Sequence, residues 1–340
     1  MSKVIKNGTL VFSNHTKKTD LLIDNEKIIK IGDNLTGDEV IDAENCFVFS
    51  GFIDAHTHLD MPVSGTVTAD DFATGTAAAL VGGTTMIIDF ATQDRGHTLK
   101  EALDTWHKRA DGNSSCDYGF HMAVTDLNEQ TKKELFTMKK QGITSFKCYY
   151  AYDALKLDDS QMYEMLCIMK EINGVLGVHC ENGDIINYLQ QQAVNNGHLT
   201  PDYHPKTRPS LLEGEAVSRF LRLADLAGAK AWIVHLSSSD GLEEIRLARK
   251  RGQNVYVETC PQYLTLDESV YNLDGFESAK YICSPPVRSK NDQNALWNAL
   301  QNNEIDIVST DHCSFNFKNQ KELGLNNFTK IPNGLPTIEH

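Results

Sequence analysis

Eight short apolar runs of β type follow one another from residue 52 onward, and helix-like stretches fill most of the gaps between them. The runs are FIDAHTH (52–58), TTMIIDFAT (84–92), DYGFHMAV (117–124), ITSFKCYYA (143–151), GVLGVHCE (174–181), AKAWIVHLS (229–237), NVYVETCP (254–261) and IDIVSTDH (305–312). DDFATGTAAALVGG after the first run and SLLEGEAVSRFLRLADLAG before the sixth show the helical patterning. Strands that alternate with helices form parallel sheets covered by those helices. A doubly wound open sheet satisfies the alternation. The count of eight, and the gathering of polar residues at the ends of the runs, favour a (β/α)8 barrel of the TIM type, and this α/β class is the expectation.

The chain has 340 residues, enough for such a barrel and a smaller domain. Residues 1–50 carry a different pattern. VIKNGTLVF, DLLIDNEKIIKIG and EVIDAENCFVF alternate with turn signals, among them Asn7-Gly8 and Asp24-Asn25. We expect a small antiparallel β layer there, incomplete in itself, with the barrel occupying 51–340. The last stretch, FNFKNQKELGLNNFTKIPNGLPTIEH, reads as a long loop entering a helix. A barrel without its eighth outer helix leaves an apolar face open, so the chain is expected to be a fragment of a longer polypeptide, its C-terminal part missing.

Composition narrows the partners. Lys and Arg number 32 against 46 Asp and Glu, a net charge of −14. So acidic a chain lacks the positive field that nucleic acid or an anionic membrane requires. No apolar run reaches transmembrane length, and the N-terminus MSKVIKNGTLVFSN has no signal-peptide core, so a cytoplasmic location is expected. The eight cysteines are scattered, mostly in apolar runs, and none forms a C-x-x-C pair; they are expected to be buried free thiols.

The chemistry lies at the ends of the runs. His56 and His58 close the first as H-T-H, His179 closes the fifth, His235 the sixth and Asp311 the eighth. In a barrel those carboxyl ends meet at one mouth. Alternate residues of a strand point the same way, so His56 and His58 can reach one ion. A single strand histidine is more often a hydrogen-bonded core residue than a ligand. Four of only 12 histidines at such ends, with a carboxylate, instead suit a divalent metal. His121 is expected to be structural, and His15, His97, His107, His198, His204 and His340 to lie on the surface. Lys147 sits among apolar and aromatic residues in S-F-K-C-Y-Y. Burial lowers a lysine's pKa, and the neutral amine can add CO2 to give a carbamate able to bridge two metals.

These segments resemble the cyclic amidohydrolases, specifically the dihydropyrimidinase/hydantoinase branch. The resemblance rests on GFIDAHTHLDMP (51–62), SGTVTADDF (64–72), SFKCYYAY (145–152), VHCENGD (178–184), VHLSS (234–238), ETCPQYL (258–264), CSPPVR (283–288), STDH (309–312) and IPNG (331–334). It spans the chain in order. It implies a binuclear metal barrel beside a small β-sandwich to which residues 1–50 contribute. His56 and His58 would bind the more buried metal, His179 and His235 the more exposed one. Lys147, carbamylated to N6-carboxylysine, would bridge them, and Asp311 would bind the first metal and shuttle the proton. Tyr152 would polarise the scissile carbonyl, and backbone groups of Ser284 and Asn333 would hold the ring amide. The ions would be zinc, with manganese or cobalt as alternatives, and the assembly a homo-oligomer, a tetramer in the family.

The reaction so implied is hydrolytic opening of a cyclic amide, a dihydropyrimidine or a 5-substituted hydantoin, to an N-carbamoyl amino acid, as in pyrimidine catabolism. Dihydroorotases resemble H-x-H-x-R at the first motif, where the Arg holds a substrate carboxylate. Asp60 stands there in this chain, which argues against a carboxylated ring. Met61, Val63 and Tyr149 are candidate pocket residues. The alternatives are another cyclic amidohydrolase such as an allantoinase, or a non-catalytic dihydropyrimidinase-like scaffold. Scaffolds of that kind lack metal ligands, whereas all six are present here.

Overall fold

A computed structural model describes residues 1–63 and 65–338; Ser64 of the SGTVTADDF segment and His340, expected at the surface, lie outside the described residues. The chain divides into two compact units, Met1–Phe52 and Ile53–His340.

In the first unit a four-stranded sheet has the order Lys27–Gly32, Asp20–Asp24, Lys3–Lys6, Glu39–Asp42. A three-stranded sheet has the order Thr16–Lys18, Thr9–Val11, Phe47–Val48. Asn25 and Glu26, with φ of 45° and 63°, make the two-residue hairpin turn after Asp24. The wholly antiparallel layer expected from the sequence is corrected here. Lys3–Lys6 pairs parallel with Glu39–Asp42, and Thr9–Val11 parallel with Phe47–Val48. Asn7-Gly8 joins strands of two different sheets, so its turn is not a hairpin.

The second unit is built on eight parallel strands in sequential order, nearly closed into a TIM-type barrel: Phe52–Thr57, Thr84–Thr92, Asp117–Ala123, Ser145–Tyr149, Val175–His179, Lys230–Ile233, Val255–Thr259 and Ile307–Val308. A helix follows each of the first seven, including Phe72–Val81, Leu99–Ala110 and Ser210–Ala227. Local chemistry sets their ends. Thr98 and Glu101 form a reciprocal capping box before Leu99, and Gly228 ends the 210–227 helix at φ 66°. Beyond the eighth strand the described residues form the 3-10 turns Lys321–Gly324 and Phe328–Lys330 and the isolated parallel bridges of His312 with Thr57 and Leu335. Among the described residues no helix is long and apolar enough to cross a membrane.

Closure of the barrel depends on Asp54. Its carboxylate accepts from Thr310 N at 3.0 Å and His56 N at 3.2 Å, tying the first strand to the segment after the eighth. His58 N donates to His312 O at 2.8 Å beside it. Two apolar layers result. Buried residues such as Phe146, Leu166 and Phe220 pack helices onto strands. Phe90, Trp232 and Val234 form a separate cluster that touches His56 and His121, rings brought together from the first, second, third and sixth strands. Side chains from strands across the barrel meet only in its interior, so this cluster fills the floor of the site. Gly177 makes room for it: a Cβ there would lie 2.6 Å from Trp232 Cε3.

Gly177→Ala should therefore destabilise the protein by about 1–3 kcal/mol through overpacking. Gly119→Ala, whose Cβ would meet nothing nearer than 3.7 Å, serves as the control. Denaturant midpoints of the two variants check this; equal midpoints would show that the floor around Trp232 yields.

Candidate metal centre and active site

The structure brings together the residues expected to ligate. His56 Nε2 lies 3.2 Å, and His58 Nε2 3.1 Å, from Asp311 Oδ1. Lys147 Nζ lies 3.0 Å from His56 Nε2, and His179 Nδ1 lies 3.0 Å from His235 Nε2. Nitrogens bound to one tetrahedral zinc at 2.0–2.1 Å sit about 3.3 Å apart. These separations are of that size, and the donor atoms of His56, His58 and Asp311 all lie within 4.8 Å of one another. His58 Nδ1 and His235 Nδ1 are buried without a hydrogen-bond partner. The donor set thus fits divalent metal ions.

Backbone geometry aims two of these side chains. The strands stop short of them: His235 lies two residues past Ile233 and Asp311 three past Val308. Both have left-handed backbones, with φ of 39° and 50°, as does Tyr152 at 68°. Such conformations cost about 1–3 kcal/mol each for residues other than glycine and cluster at functional sites.

Electrostatics favour ligand forms. Burial, with the Lys147 charge next, holds His56 well below its usual pKa. Burial and the neighbouring His179 do the same for His235, and burial lowers His179. These rings are then neutral near pH 7, as metal ligands must be. Burial also lowers Lys147, opposed by Asp311 and Glu258. Its amine lies over the Phe90 ring, 4.3 Å from the centroid. Burial works to raise the Asp311 carboxyl, but the His58 hydrogen bond and the nearby charges hold it below the usual carboxylate value.

A second layer of groups orients the first, and much of it was missed in the sequence. Glu258 Oε1 lies 2.6 Å from His56 Nδ1 and accepts from His235 N at 3.1 Å. With the proton on Nδ1, His56 turns its Nε2 lone pair to the site. Glu181 Oε2 lies 2.8 Å from His179 Nε2 and accepts from Arg208 Nη1 at 2.6 Å. Glu258 carries the signal that exposed Lys147, a charge inside an apolar β run. His121 bridges Ser145 Oγ and Ala55 O. His204 is a correction: expected at the surface, it is buried, its Nε2 2.8 Å from Cys283 O. The polar stretch around it folds into the short helix Tyr203–Lys206, and the Cys283 carbonyl supplies its partner. His15, His97, His107 and His198 are exposed. Five thiols are buried, but Cys46 and Cys167 are exposed and Cys116 is intermediate, so the burial expected of all eight is corrected for these.

A cavity of about 490 Å³ opens on this centre. His58, Lys147, His179, His235 and Asp311 line it, and so do Tyr152, Ser284 and Asn333. Met61, Val63 and Tyr149 line it as well. His56 lies beneath, fully buried. Burial raises the Tyr152 phenol, which keeps its proton near neutral pH. Asp60 does not line the cavity; its carboxylate accepts from Phe72 N at 3.2 Å at the start of the Phe72–Val81 helix.

Comparison with known proteins agrees with this arrangement. Residues 47–336 match the amidohydrolase family. The chain is 50% identical to a D-hydantoinase of Geobacillus stearothermophilus, an alignment that takes in 100% of this chain and 73% of the relative. It is 43% identical to a D-hydantoinase of Streptomyces coelicolor, over 99% of this chain and 74% of that one. The crystal structure of a dihydropyrimidinase from Brevibacillus agri superposes with a TM-score of 0.97 at 48% identity, covering 100% of this chain and 74% of the other. An L-hydantoinase from Arthrobacter aurescens superposes at 0.87 with 28% identity, covering 99% and 74%. A barrel whose strand ends deliver four imidazoles, a lysine and an aspartate to one cavity, together with these matches, makes this chain a member of the amidohydrolase family.

Proposed function

We propose that the protein is a metal-dependent hydrolase that opens the ring of cyclic amides, dihydropyrimidines or 5-substituted hydantoins, to give N-carbamoyl amino acids. The observation that carries this reading is the convergence of His56, His58, Lys147, His179, His235 and Asp311 on a single cavity that also contains Tyr152, Ser284 and Asn333. The names of its relatives, D-hydantoinase and dihydropyrimidinase, support the substrate class.

In this reading His56, His58 and Asp311 would hold one divalent ion and His179 and His235 a second, zinc before manganese or cobalt. Carbamylated Lys147 would be a ligand to both. When bound, the two ions supply the Lewis acidity that lets a water lose its proton near neutral pH. Asp311 takes that proton and delivers it to the leaving ring nitrogen, base first and acid second. The Tyr152 hydroxyl donates to the scissile carbonyl oxygen as negative charge grows there, a task worth a few kcal/mol for a well-placed donor. Backbone groups of Ser284 and Asn333 hold the ring amide. Residues 1–50 are taken as part of a small β-sandwich, and the enzyme as a cytoplasmic homotetramer, on the family resemblance.

Lys147 decides the centre's charge. An ammonium would repel two dications, and a neutral amine would serve only one. Addition of CO2 to the amine, with loss of one proton, gives a carbamate with two oxygens and a negative charge.

Full-length protein should hydrolyse dihydrouracil or a 5-substituted hydantoin, with dihydroorotate at least about a hundredfold poorer in kcat/KM, the effect of a missing bidentate partner for its carboxylate. Allantoin as the sole substrate in the same panel would assign the chain to the sister activity. Metal analysis should find about two ions per chain, and mass analysis should find CO2 added at Lys147. Lys147→Ala and Lys147→Arg should both lose metal and nearly all activity, since guanidinium takes up no CO2; a short carboxylic acid should restore part of the activity to Lys147→Ala. An unmodified amine in fully active enzyme would refute the carbamate. Glu258→Gln should weaken metal affinity about 10- to 100-fold, the usual effect of removing a carboxylate behind a ligand histidine. Metal titration measures this, and unchanged affinity would leave Glu258 with a packing role only.

A further inference from the structure

Two segments outside regular structure carry substrate-facing residues to the cavity wall: Ile282 lies two residues before Ser284, and Pro332 and Gly334 flank Asn333. Such segments lack the ladder of hydrogen bonds that fixes a strand, so their relative position needs other ties. One direct tie is Gly334 N donating to Ile282 O at 3.0 Å.

Lys321 supplies the rest. Its side chain is only 2% exposed. Nζ donates to Ile282 O at 2.8 Å, to Pro332 O at 2.7 Å and to Gly334 O at 2.9 Å. A lysine ammonium has three donors and no acceptor. All three are used here, each on a backbone carbonyl and none on a carboxylate. Burial brings its pKa down to about 8. Burying a cation without a counter-charge is unfavourable unless convergent dipoles replace the lost water, and three carbonyls do so here. The turn that carries Lys321 is pressed flat against its target. A Cβ at Gly324 would lie 2.1 Å from Ile331 Cγ1 and 2.8 Å from Ile331 N, next to Pro332. The ammonium bonds none of the metal-type ligands.

We propose that Lys321 is a positioning residue for the substrate ring: by tying the Ile282 carbonyl to those of Pro332 and Gly334, it sets the separation between the backbone groups of Ser284 and Asn333 that grip the ring amide. The inference rests on the cyclic-amide reading above, since it assigns these two segments to ring binding. A lysine that merely staples the fold would affect stability alone. A positioning lysine acts on ring binding and leaves the metal centre intact.

The test uses the full chain, metal-loaded, with whichever of dihydrouracil or a 5-substituted hydantoin the wild type hydrolyses. Lys321→Met keeps an unbranched side chain one atom shorter and removes every donor. Its KM should rise about tenfold or more, the order of a lost charge-assisted hydrogen bond, with kcat within about threefold and metal content as in the wild type. Lys321→Gln retains two amide donors and should fall between. A wild-type KM in folded Lys321→Met, whatever its Tm, overturns the proposal. Should that variant not fold, Lys321→Gln decides, and an unchanged KM there overturns it equally. A wild-type protein inactive on every cyclic amide would remove the functional reading, and this inference with it. An active wild type with unaltered KM in the variants would remove the inference alone.

Discussion

Glu258 stands behind two of the candidate ligands, His56 and His235. Its Oε1 meets His56 Nδ1 from the first strand and accepts the backbone N–H of His235 beyond the sixth, while the residue itself lies on the seventh. One carboxylate thereby fixes the ring of one ligand and the backbone of another. Burial pushes this carboxyl up to about 8, opposed by the His235 backbone hydrogen bond and then by the Lys147 charge. A cation bound in the cavity would favour the ionised carboxylate beneath it, as expected where ligand protonation and metal binding are linked. Asp54, Glu181 and Arg208 extend the same layer around the strand ends.

The left-handed residues show where stability is given up for aim. His235, Asp311 and Tyr152 leave the strand direction after the ladder has ended, so each side chain is turned by backbone strain rather than by the pleat. Fixed neighbours must hold such residues in place. Glu258 holds the backbone of His235. Thr310, which precedes Asp311, is held by Asp54 through its backbone N–H.

Much of this was legible in the sequence where local periodicity reports it. His56 and His58 stood out because a period of two in an apolar run puts both on one side, and Lys147 because an amine among aromatics is conspicuous. The eight-fold alternation announced the barrel. Parallel pairing within residues 1–50 was not legible, because pairing direction depends on which distant strand lies alongside. His204 and Lys321 escaped for a related reason. Each sits in a polar stretch that looks solvated, and its partners, the carbonyls of Cys283, Ile282, Pro332 and Gly334, carry no side-chain signature at all. Strand ends were misjudged at the sixth and eighth runs because a left-handed φ on a histidine or an aspartate has no reliable sequence signal.

The clasp between Asp54 and Thr310 spans 256 positions of the chain. Contacts of such long range close large loops, and the entropy of closure delays them relative to local helix formation. His56 leaves the ribosome early, yet its carboxylate partner Asp311 emerges only after seven strands and their helices. A nascent chain therefore carries scattered imidazoles and no finished cage. The donor atoms of His56, His58 and Asp311 come within reach of one another only when the first and last strands meet, so a metal held by all three would report that the barrel has closed.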